Sequence, residues 1–321
     1  MRKLLPVVLG FVATFAAGCG TSTLSLVLVR PAVVSARPFG DTLTVAGFRA
    51  MRPELVFAAE ALRQDVLQEA RGGVGGVVRV IDAGGGLVAS GELVRYDVVA
   101  TERTRASTCP QQVTTIKNNA RVTETQQVPC TFYAYDWRAS VQANLRVTSA
   151  QGQVLYYRGH TAERSGSTNE TQGRPLMSPN RNSLASVLSE LRATVADEMG
   201  AVLVPHRVRV SAAFFDCAKP AEATCAAGMQ AMMNNHYDGA AQAFTDAHAQ
   251  LVQAHADNNE VAKALWNRAL VYKYSRQFDK ALLDLRESCR IESRMACNGE
   301  MQDVEAERAL HQKLVDEGLG H

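Results

Sequence analysis

The chain has 321 residues, with 34 Lys plus Arg against 32 Asp plus Glu and a net charge of +2. That balance removes any general electrostatic case for nucleic acid, and the length allows two modest domains with cores of their own. Past the N-terminus, no run approaches the roughly 20 apolar residues of a spanning helix.

The chain opens with Met1, Arg2 and Lys3, followed by an apolar run from Leu4 to Ala17. The run is too short for a stable span and has the proportions of a signal-peptide core. It ends in Phe15-Ala16-Ala17-Gly18-Cys19. Small residues ahead of a cysteine suit the narrow pocket of a signal peptidase, and a cysteine in the first mature position can carry a diacylglycerol on its thiol. The expectation is a lipoprotein: residues 1–18 removed, Cys19 lipidated, and 19–29 a lipidated tether leading into a strand. Several acyl chains anchor stably where one does not. Gly20, in place of an Asp after the cysteine, favours the outer membrane by enteric sorting, with the body facing the periplasm.

Thr42 to Phe48 alternates and is β-prone. Pro53 suits the first turn of a helix, and Leu55, Ala58, Ala59, Leu62, Val66 and Ala70 follow at helical spacing up to Gly72 and Gly73. Val77 to Ile81 reads as a short strand, Asp82 to Gly86 as a turn, and Leu87 to Thr101 as a longer strand. Residues 104–129 are rich in Thr, Gln and Asn and read as a long hairpin excursion, pinned at its base by Cys109 and Cys130. From Trp137 to Thr148 apolar and polar residues alternate strictly, which marks a strand with one buried face. Val154 to Thr161 returns, 163–182 reads as a polar loop, and Leu184 to Met199 forms an amphipathic helix stopping at Gly200. Val202 to Val210 reads as the last strand, and the composition turns Ala-rich and helical over 221–316, so a boundary falls near 212–220.

Besides Cys19 there are six cysteines in three local pairs: Cys109 with Cys130, Cys217 with Cys225, and Cys289 with Cys297. In an exported chain such pairs read as disulfides. There is no CxxC to suggest a redox site or zinc knuckle.

Two matches to a helical repeat lie in the C-terminal part. Tyr237 is followed by Ala240, Phe244 and Ala247, and Phe278 by Ala281, Leu285 and Ser288. An aromatic with a small residue three later and a large apolar one seven later resembles the tetratricopeptide pattern, in which small residues let two antiparallel helices cross closely. The two aromatics lie further apart than the usual repeat of about 34 residues. In that family the first helix of each pair lines a concave groove. The resemblance therefore implies a groove of Met229, Met232 and Met233 in the first repeat and Trp266, Asn267, Leu270 and Lys273 in the second. There Asn267 would hold a peptide backbone and Lys273 an acidic group of a protein or peptide partner. The same residues fit equally well as packing between repeats or against the first domain.

The element order over about 30–212, with the strings Val29-Arg30-Pro31-Ala32-Val33, Gly91-Glu92-Leu93-Val94 and Leu203-Val204-Pro205-His206-Arg207, resembles a group of envelope lipoproteins. Their domain is similar to the curli-secretion channel subunit and to the outer-membrane activators of penicillin-binding proteins. The fold class expected is α+β: an α/β domain with a mostly antiparallel sheet and two helices, then an all-α repeat domain.

No catalytic residue, metal site or cofactor is assigned. The Gly72 to Gly76 stretch follows a helix and precedes a strand, the reverse of a phosphate loop, and no GK[ST] is present. His248 and His255, seven apart, are expected to share a helix face, but no metal-ligand set with an acidic or cysteine partner is apparent, so they read as surface histidines. The expected work is binding, as a lipid-anchored scaffold in envelope assembly or maintenance. The rivals are a subunit of a curli-channel-like export pore and a regulator of a cell-wall synthase. The oligomeric state is left open.

Overall fold

The computed structural model describes residues 21–117, 120–172, 177–293 and 295–319. The expected signal peptide and Cys19 lie outside the described residues. The class is α+β, with eight strands and seven helices among those residues.

The first strand, β1 (Thr21–Arg30), corrects the tether expected at 19–29: from Thr21 onward the segment is strand. Leu24 and Leu26 are buried on one face while Thr23, Ser25 and Val27 face out. Next come β2 (Thr42–Ala50), α1 (Val56–Arg71) and the two-residue β3 (Arg79–Val80). Two very long strands follow, β4 (Leu87–Lys117) and β5 (Ala120–Ser149), then β6 (Val154–Ser167), the short β7 (Thr171–Gln172) and α2 (Ala185–Leu203). After β8 (His206–Phe215) come α3 (Glu222–Met233), α4 (Tyr237–Gln253), α5 (Asn258–Tyr274), α6 (Phe278–Ile291) and α7 (Cys297–Asp316).

The chain divides into two compact units. One is Val29–Arg207 with the chain from Lys313; the other is Val208–Gln312 with the chain up to Leu28. The division falls before the 212–220 expected from composition. The reason is β8: it pairs with β1, and its Ala212 and Phe214 are buried with Phe244, Ala247 and Leu251 of α4.

In the first unit a mixed sheet runs in the order β3-β2-β4-β5-β6, with β7 beside β5. The β2 pairings are parallel, and the β4–β5 and β5–β6 pairings antiparallel. The alternation from Trp137 to Thr148 sends Ala139, Val141, Ala143, Leu145 and Val147 to one face, all fully buried. That face packs with Leu62 and Val66 of α1 and Leu188, Val195 and Met199 of α2. Twice an aromatic lies over a directly opposed glycine, Phe48 over Gly91 and Trp137 over Gly166. A Cβ on Gly91 would come within 2.2 Å of the Phe48 ring, so the ring fills the space a side chain would need.

The second unit is the β1–β8 pair with the helices. Gly228 of α3 lets Phe244 approach closely, and Phe244 stacks on Phe214 with ring centroids 6.0 Å apart. Three disulfides join Cys109 to Cys130, Cys217 to Cys225 and Cys289 to Cys297.

Candidate functional site

The excursion expected at 104–129 is the outer part of a β-ribbon with no break from the sheet. Paired residues run in one register from Tyr96–Val141 to Lys117–Ala120. On the β4 side, β2 stops at Ala50 opposite Leu93; on the β5 side, β6 stops at Asp136 and β7 covers only Phe132 and Tyr133. Beyond the Ala106–Thr131 rung no other described strand pairs with the two, over eleven residues of β4, about 37 Å at ~3.4 Å per residue.

Polar residues form strand here because cross-strand pairs stabilise a pleated surface without an apolar core. Thr114 and Thr123 share a hydroxyl–hydroxyl bond of 3.1 Å. The Cys109–Cys130 disulfide lies at the base of this free ribbon, joining the Ser107–Cys130 and Cys109–Val128 rungs diagonally, with a Cα separation of 5.8 Å. Side-chain contacts secure the base as well. Arg105 donates to Glu170 at 2.7 Å and lies 5.1 Å over the Phe132 ring. Its guanidinium holds the Glu170 carboxyl below the usual carboxylate range. Tyr135 donates to Glu102 at 3.2 Å, and its backbone N–H donates to Thr168 at 2.8 Å.

One ribbon face bears Thr104, Thr108, Gln112 and Thr114 of β4 with Thr123, Thr125, Gln127 and Thr131 of β5, and the exposed Ile116 near its end. The other carries the partly buried Val113, Val122, Val128 and Phe132 around the disulfide, interrupted by Arg105, Gln111, Glu124 and Gln126. Pro110 and Pro129 interrupt the two free edges near the same height, opposite Gln127 and Thr108. Proline has no N–H, so it fits only where that position points away from the partner strand, and there it removes a donor from the edge.

The groove expected along the first helices of the repeats is filled by the chain itself. Helix α5 is buried on nearly every side, including Asn267, Leu270 and Lys273. Asn267, fully buried, accepts from the Phe215 N–H at 2.9 Å and donates to the Phe215 carbonyl at 2.8 Å. It does hold a peptide backbone, but that of β8. Trp266 meets the Phe215 ring edge-on at 5.8 Å and is half-buried. Met232 is fully buried and Met229 packs on the same core; only Met233, 53% exposed, faces solvent. Lys273 donates to Glu300 at 2.8 Å and also to Asp303, both on α7. Burial pulls its ammonium toward neutrality, but Tyr274, Glu300 and Asp303 outweigh that and hold it above the usual lysine value. Burial pushes the Tyr274 hydroxyl up to about 12. Six of the seven expected groove residues therefore pack within this chain and Met233 alone is exposed, so they do not line an open groove; spacing does not reveal that the occupant is another part of the same chain.

Elsewhere, His160 is buried between the Tyr156 hydroxyl at 3.3 Å and the Glu198 carboxylate at 3.2 Å. A shallow cleft of about 410 Å³ lies along Gly72–Gly75 with Glu69, Asp197, His206 and Arg207. Burial and the nearby Asp197 and Asp65 push the Glu69 carboxyl up. His248 is half-buried, and burial with the Arg268 charge pulls its imidazole down. Among the described residues no cluster of three or more His, Cys, Asp or Glu has a geometry that could hold a metal ion, and no helix is long and apolar enough to cross a membrane.

No protein-family model matches the chain, and no curated protein matches it. Among solved structures, a PelC dodecamer from Paraburkholderia phytofirmans is similar over 56% of this chain and 98% of that chain, at 16% identity and a TM-score of 0.25.

Proposed function

We propose that the protein is a lipid-anchored binding or scaffold protein of the bacterial envelope, facing the periplasm, with the β4–β5 ribbon as the element that reaches its partner. The observation that carries this reading is the ribbon itself: among the described residues, two strands extend nearly 40 Å beyond their last covering strand, with one face largely of Thr and Gln and the other mixing valines with charged and amide side chains. Long exposed elements on a rigid scaffold commonly carry recognition. The helices are tetratricopeptide-like in this reading, and the filling of their inner face by β8 leaves the ribbon as the better candidate. A cell-wall synthase is one class of partner the ribbon could meet.

The test is co-purification from gently solubilised membranes. Residues 106–131 would be replaced by an Asn-Gly turn, which closes two-residue hairpins well. The shortened protein is expected to stay folded and membrane-bound but to lose the partners that the full-length chain retains. Unchanged partners would remove the ribbon from the proposal.

The export-pore reading requires strands of about 9–11 residues with an apolar outer face. Between the prolines and the ribbon end, β4 offers seven residues, Gln111 to Lys117. In a closed barrel Pro110 and Pro129 would also leave neighbouring carbonyls without a donor in lipid. Purified full-length protein in planar bilayers is expected to give no stepwise conductance. Reproducible unitary steps from a ring-shaped oligomer would favour the pore.

A further inference from the structure

The strand β1 begins at Thr21, two residues after Cys19. Two residues span at most about 7 Å. Leu24 and Leu26 are buried in the helical unit with Phe214, so this strand belongs to the folded body and cannot unreel as slack. The Ser22 hydroxyl donates to Asp216 at 2.8 Å, which puts the start of β1 beside the end of β8. From there Cys217 is bonded to Cys225 of α3, and the Ala218 N–H donates to Glu260 in the first turn of α5 at 2.9 Å. One end of the helical unit is thereby assembled from the start of β1, the Asp216–Pro220 loop and the first turn of α5.

We propose that this end lies against the phospholipid headgroups of the anchoring membrane; the inference rests on lipidation of Cys19. The short span leaves the body no room to stand off. The surface itself is polar, with Asp216, Lys219, Pro220 and Asn258 exposed, so it rests on headgroups and does not enter the hydrocarbon. It has no basic cluster to bind anionic lipid, so the acyl chains supply the attachment and the two-residue span supplies the orientation. The opposite end of the unit, where α5 passes into α6 at Ser275–Gln277, lies further from the membrane by up to the length of α5, about 25 Å for its 17 residues.

Tryptophan emission reports the orientation. Full-length protein would be reconstituted in phosphatidylcholine vesicles carrying a headgroup nitroxide, as Lys219→Trp and, at the far end, Lys280→Trp. The emission that Lys219→Trp adds over the parent is expected to be quenched, and that added by Lys280→Trp to survive. A Gly/Ser linker of about 20 residues inserted between Gly20 and Thr21, with a mean span of about 25 Å, is expected to abolish the Lys219→Trp quenching. Equal quenching at both positions, the reverse order, or quenching that survives the linker overturns the proposal while leaving the lipid anchor intact. Protein that fails to float with vesicles at all overturns the anchor and this inference together.

Discussion

Asn267→Ala is expected to lower the melting temperature by more than about 10 °C. The residue has no exposed surface and joins two backbone groups of Phe215 with one side chain. Truncation strands an N–H and a carbonyl in a partly buried setting, at about 1–3 kcal/mol each. A loss of about 2–4 kcal/mol corresponds to that shift, at roughly 4–8 °C per kcal/mol for a unit of this size. Thermal unfolding followed by circular dichroism measures it. Had Asn267 faced an open groove, the substitution would weaken partner binding and leave stability nearly unchanged; a shift under about 2 °C would return it to that role.

The second large effect is expected at Lys273. Its ammonium is buried between Glu300 and Asp303 of α7, and Lys273→Ala leaves two carboxylates facing each other across a small cavity. Breaking a buried pair costs about 3–5 kcal/mol, and the lower end applies because Asp303 is 43% exposed. Lys273→Met should recover the packing of the stem but not the charge balance, and so fall between the two. The folded-state value is raised, so this stabilisation is complete at neutral pH and is lost only as pH rises above the ordinary lysine range. Equal stability of Lys273→Ala and the parent between pH 6 and 8 (about neutral, where both partners are charged in water) would mean that α7 is held by its apolar contacts alone.

Where the residue pattern was periodic, the structure follows it. Helical spacing from Leu55 to Ala70 and from Leu184 to Met199 matches α1 and α2, and the alternation from Trp137 to Thr148 matches the buried stretch of β5. The cysteine pairs were legible because the two members of each pair lie close together in the sequence. β1 alternates too, with Leu24 and Leu26 against Thr23 and Ser25, but its position directly after Cys19 invited a tether reading. The ribbon was not legible as strand beyond Thr101 because its pairing is set by register and cross-strand contacts, and Thr, Gln and Pro carry no apolar period. The groove was misassigned for a related reason. Spacing identifies which residues of α5 face inward, but only tertiary structure shows that Phe215 and α7 already occupy that side.

The proposed anchored, periplasm-facing role depends first on Cys19. Labelled palmitate incorporation and flotation of membranes, compared between the parent and Cys19→Ala, test it most directly. The parent is expected to take up label and float with the membrane fraction, and Cys19→Ala to do neither. A Cys19→Ala chain that is labelled and floats like the parent would contradict the lipid anchor, and with it the proposed function.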